Sequence, residues 1–126
     1  FVWWDVALWL GAAARLPALD TRTAAALDLA AVHALTMGYL GGTLLVMATR
    51  VSSTYSGRPV AIDRVARGLY GILQVAVLMR LVAATSPSSS ALWLLGAAGA
   101  WMGVAVIWAI RHGRWQWAPR VDGRPG

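Results

Sequence analysis

The chain has 126 residues, is 59% hydrophobic and only 13% charged, and carries a net charge of +6 with no cysteine. A soluble domain usually holds about 25% charged residues, so this is the composition of a membrane protein and not of an aqueous core with a basic coat. The missing cysteines exclude disulfides, thiolate metal sites and thiol catalysis. The arginines lie between apolar runs and not along one face, which argues against a nucleic-acid partner.

The hydropathy pattern predicts an all-α fold, a polytopic transmembrane helical bundle of four spans with the first short or truncated. The predicted helices cover about 2–14, 23–49, 60–84 and 90–111, followed by a basic tail over 112–126. Segment 2–14 falls short of the roughly 20 residues a span needs. It opens without an initiator Met or a basic n-region, which rules out a signal peptide and suggests a helix cut at its start. Asp20 and Thr21 are placed to cap the second helix. Pro59 suits the first turn of the third. The fourth, from Ala91 to Ile110, has no charge at all.

The connections assign an orientation. Arg50, Arg58, Arg64, Arg67, Arg111, Arg114, Arg120 and Arg124 fall on one side, against Arg15 and Arg22 on the other. The positive-inside rule then puts the 50–64 loop and the C-terminus in the cytoplasm. Trp115 and Trp117 suit an interfacial belt there, and Trp3, Trp4 and Trp93 suit the other helix ends. His112, in the basic tail, reads as an ordinary interfacial residue.

Within the spans the polar residues are few and patterned. On the second helix His33, Thr36, Leu40, Thr43, Met47 and Arg50 form one narrow stripe at the helical period. Gly38 and Gly42 make a small-xxx-small pair that lets a neighbour approach. On the third helix Asp63, Arg67, Tyr70 and Gln74 share a face. Antiparallel pairing of these helices, matched in depth from their outer ends, sets Asp28 level with Arg80 and His33 level with Gln74. An Asp28–Arg80 ion pair avoids isolated charges in hydrocarbon, the alternative being that each snorkels to the interface. His33 lies about ten residues into its helix, near 15 Å deep. It is either a hydrogen-bonded structural residue or a neutral imidazole ligand to haem or copper, with Gln74 or Thr36 fixing its tautomer. Met37 follows one turn later, and its thioether would suit copper, although apolar filling is the ordinary role of methionine. No acid–base pair or phosphate-binding loop points to a hydrolase.

The stretch HALTMGYLGGTLLVMATRVSSTYSGRPV, beginning at His33, resembles the NnrS family of polytopic bacterial membrane proteins. The similarity rests on the His-Ala-Leu-Thr start, a glycine in the next turn, an Arg-Val pair and a Gly-Arg-Pro loop. The ending PRVDGRPG resembles that family's C-terminus. The resemblance implies a multi-pass protein of the bacterial inner membrane that contains haem and copper and serves nitric oxide metabolism or the nitrosative stress response. It makes His33 the candidate ligand, gives Arg50 and Arg58 of the loop a supporting role toward anionic groups such as haem propionates, and leaves the reaction, if any, undefined. It also implies that this chain is the C-terminal third of a longer protein whose N-terminal helices are partners along with the lipid bilayer. The competing expectation is a non-catalytic helical module of a transporter or scaffold in which His33 is only structural.

Overall fold

The computed structural model describes residues 1–59, 63–86, 88–119, 121 and 123. It contains helices α1 (Val2–Ala13), α2 (Thr21–Tyr55), α3 (Arg64–Thr85) and α4 (Ser90–Trp117), and no strand among the described residues. The last three are long and apolar enough to cross a membrane, while α1 is a shorter apolar helix.

Local chemistry sets the helix ends. The Asp20 side chain caps α2, accepting from the backbone N–H of Arg22 at 3.2 Å and of Thr23 at 3.3 Å. The Thr23 side-chain hydrogen bond foremost, then these backbone bonds, hold its carboxyl below the ordinary value. At the other end Gly57 adopts a left-handed φ of 68°. The Arg58 N–H returns to the Ser53 carbonyl at 3.0 Å and the Gly57 N–H to the Thr54 carbonyl at 3.1 Å, which is the Schellman stop. α2 thereby runs to Tyr55, past the expected end near Thr49. Asp63 caps α3 by accepting from the Ala66 N–H at 2.8 Å. The first helical residue is therefore Arg64 and Pro59 lies outside the helix; the expected helical start over 60–62 falls outside the described residues.

The bundle is inverted relative to a soluble protein. Its buried residues are mostly small, including Ala30, Ala34, Ala76 and Ala97, and the largest fully buried side chains among the described residues are Leu73 and Val77. Large apolar groups such as Leu44, Ile72, Leu95 and Ile110 stand outward. Close backbone approach, not oily side chains, packs helices that already lie in hydrocarbon. The most extensive pairing is α3 against α4, where Leu69, Leu73 and Val104 form a cluster joined by Leu45 and Trp108. α1 leans on the first half of α2.

The middle of α2 is not α-helical: Ala34–Gly41 is a π-helix. A π turn takes in more residues than an α turn, so inward positions recur every fourth residue. Ala30, Ala34, Gly38 and Gly42 are the buried row. Each glycine of the row or beside it receives an aromatic ring from a different helix. A Cβ on Gly38 would meet Trp3 of α1 at 2.5 Å, one on Gly41 would meet Trp101 of α4 at 2.8 Å, and one on Gly42 would touch Tyr70 of α3 at 3.6 Å.

Candidate functional site

His33 is the last residue before the π segment and is half-buried. Its Nδ1 lies 2.7 Å from the Leu29 carbonyl. A carbonyl only accepts, so Nδ1 carries the proton and Nε2 keeps its lone pair. The tautomer is thus fixed by the backbone of its own helix, and neither Gln74 nor Thr36 is needed for it. The Thr36 hydroxyl instead donates to the Val32 carbonyl at 2.8 Å. Gln74 accepts from the Trp3 indole N–H, and its Nε2 is buried without a hydrogen-bond partner among the described residues. Met37 is half-buried, and no hydrogen bond among the described residues links it to His33.

Two features separate the residues that depth matching had brought together. First, Tyr70 packs over Gly42, which shifts α2 against α3 by more than one turn from the expected register. That expectation was measured from the outer helix ends, whereas the Tyr70–Gly42 contact marks the actual alignment. Second, the buried row Ala30–Ala34–Gly38–Gly42 leaves the His33–Thr36–Leu40–Thr43–Met47–Arg50 stripe facing away from the bundle, all of it exposed except half-buried His33. Asp28 is exposed for the same reason, lying two residues and so about 200° from inward Ala30. The expected Asp28–Arg80 ion pair is accordingly not formed. The only salt bridge among the described residues joins Arg111 to Asp63.

The arginine-rich end holds the histidine that the sequence reading set aside. His112 is 2% exposed. Its ring stacks on Trp108 with centroids 4.7 Å apart and meets the Trp115 edge at 4.6 Å, while Nδ1 lies 3.0 Å from the Trp108 carbonyl. Trp108 in turn donates its indole N–H to the Thr49 hydroxyl at 3.0 Å, tying α4 to α2. Residues 108, 112 and 115 recur at the helical period, and that spacing was the available signal. Arg58 and Arg111 both lie over the Trp115 ring, at 4.8 Å and 5.3 Å from its centroid. The Asp63 carboxyl is held below its ordinary value, chiefly by the hydrogen bond from Arg111 and then by the Ala66 N–H. Arg50 and Arg67 line a cavity of about 680 Å³ beside His112.

The model of the family described as NnrS protein matches residues 1–120. The chain belongs to the NnrS family. Neither a curated protein nor a solved structure matches it. Membership links this NnrS chain to a membrane protein of the nitric oxide response, in keeping with its three membrane-length helices.

The haem and copper associated with NnrS proteins can be tested against the residues present. His33 fits a single ligand position, because its Nε2 lone pair is free and its ring is oriented by a backbone partner. No group of three or more His, Cys, Asp or Glu among the described residues is arranged to hold a metal ion. The described residues thus offer single imidazole donors and no closed metal cage.

Proposed function

We propose that this chain is part of a haem- and copper-containing membrane protein serving nitric oxide metabolism or the nitrosative stress response, with His33 giving its Nε2 to haem iron or copper. The observation that carries the reading is the bond between His33 Nδ1 and the Leu29 carbonyl at 2.7 Å, at the mouth of a π-helix. That bond holds the tautomer that leaves Nε2 open to a metal, and π segments recur at functional sites in helices. The ring stands on the outward stripe of α2, where further helices of the same protein would complete the ligand set. When bound, haem iron or copper supplies a centre able to take up nitric oxide or pass an electron. What the chain itself contributes is orientation: the Leu29 carbonyl fixes the imidazole, Trp3 packed on Gly38 holds the helix that bears it, and Met37 lies one turn further on. Arg50 and Arg58 sit near the other end of α2 and serve that end instead. We place the protein in the bacterial inner membrane with its C-terminus in the cytoplasm, on the strength of the arginine distribution.

The visible spectrum and metal content of the full-length protein in detergent test this. A Soret band that is lost or displaced in His33→Ala but retained in His112→Ala is the expected result, since the His112 ring is enclosed by two indoles. A band indifferent to His33→Ala removes the ligand role, and a preparation free of both haem and copper removes the reading altogether. The second reading, a helical module without cofactor, draws on the hydrogen bond from Trp3 to Gln74, which ties two helices together through a polar residue of the span.

A further inference from the structure

The arginines at the loop end of the bundle are not equivalent. Arg111 is engaged by Asp63 and by the Trp115 ring, and Arg58 by the same ring. The guanidinium groups of Arg50 on α2 and Arg67 on α3 have no acid, ring or hydrogen-bond partner among the described residues. Both line the cavity of about 680 Å³, next to Arg111 and His112. Among the described residues Asp63 is the acid packed at this end, and its charge is already answered by Arg111. Among those residues the cavity therefore presents two uncompensated guanidinium groups from two different helices.

Much of the remaining lining is apolar, formed by Leu45, Val46 and Leu69 with the Tyr70 and Trp108 rings. Leu45 and Trp108 also line a second cavity of about 250 Å³, whose other walls include Gly41, Leu44, Ala48, Trp101 and Ala105. The two spaces therefore adjoin at Leu45 and Trp108, with the apolar groove lying on the side toward the middle of the bundle. From Ala48 to Gly41 the groove follows α2 for about 10 Å. A cationic cavity at helix-end depth beside an apolar slot matches a molecule with an anionic head and a hydrocarbon tail. A water-soluble anion would find no use for the slot, and a neutral lipid none for the arginines.

We infer that this is a binding site for an anionic phospholipid, with its phosphate between Arg50 and Arg67 and one acyl chain in the groove between α2 and α4. The site lies at the far end of α2 from His33 and stands or falls independently of the haem reading. Each free arginine strengthens retention of such a headgroup about fivefold, the usual worth of a basic residue at an anionic membrane surface.

Native mass spectrometry of the full-length protein, released from nanodiscs of phosphatidylcholine doped with phosphatidylglycerol, reads the site directly. One phosphatidylglycerol per chain is expected to stay bound in preference to phosphatidylcholine and to resist excess inorganic phosphate. Retention should fall about fivefold in Arg50→Gln and again in Arg67→Gln, and return with Lys at both positions. Ala105→Trp, which fills the groove and leaves every arginine in place, should also lose the lipid. Equal retention of the two lipids, displacement by inorganic phosphate, or retention unchanged in the Gln variants would overturn the site. So would loss of a porphyrin in place of lipid from those variants. Should the double Gln variant not fold, the wild-type lipid preference and the Ala105→Trp variant decide the matter, while the Soret band reports separately on His33.

Discussion

Gly38 is small because an indole lies on it. A methyl group there would sit 2.5 Å from the Trp3 Cγ, and the ring cannot swing aside without breaking the Trp3–Gln74 hydrogen bond that joins α1 to α3. Gly38→Ala is expected to lower stability by about 1–3 kcal/mol, the usual range for overpacking a filled interior. Gly68→Ala, where nothing lies within 4 Å of the added carbon, should be neutral or slightly stabilising through helix propensity. Denaturation midpoints of the two variants in detergent check the contrast. At this scale the sequence was partly legible. The glycine pair at 38 and 42 was readable as a place of close approach, but which group approaches was not, because the incoming rings come from α1 and α3, far away in the chain. His112 was misjudged for a related reason: its tail composition suggests an interface, whereas the indoles at 108 and 115 close over it.

Among the elements, α2 departs most from what periodicity suggests. A stripe computed at the α-helical period assumes that every turn holds the same number of residues, and the π-helix over Ala34–Gly41 breaks that assumption. Nothing in the local pattern announces a π-helix, on whose Gly38 and Gly41 the Trp3 and Trp101 rings lie. The caps were more legible, since Asp20 is a local signal and acts locally. Asp63 works at longer range, capping α3 while pairing with Arg111 near the end of α4. Its folded carboxyl sits below the ordinary value because Arg111 and the Ala66 N–H favour the charged form. Such a group contributes fully above the unfolded carboxyl value near 3.9, and the contribution disappears as pH falls through the lowered folded value. Acidification from pH 7 to pH 3 should therefore lower the melting temperature. Asp63→Asn should start lower at pH 7 and lose less on acidification, a difference that parallel thermal melts resolve.

For the molecule as a whole, the all-helical membrane architecture was legible because it depends on composition and segment length alone. The packing was not, because in hydrocarbon the apolar residues carry no sign of which face turns inward. Charge asymmetry survives this loss of information. Arg50, Arg58, Arg64, Arg67, Arg111 and Arg114 gather at the end where α2 and α4 finish and α3 begins, and the 85–90 connection at the opposite end has no charge. Insertion follows arginine near short loops, so the cluster should stay on the cytoplasmic side. The absence of cysteine from this chain makes the test clean. In a full-length protein whose only cysteine is introduced, Ser88→Cys should react with a membrane-impermeant maleimide added to intact spheroplasts. Trp117→Cys should react only after the membrane is opened. The opposite labelling pattern would mean that the loop arginines are outside, and the free pair Arg50 and Arg67 would then face the outer leaflet, where a different lipid population would have to supply the anion.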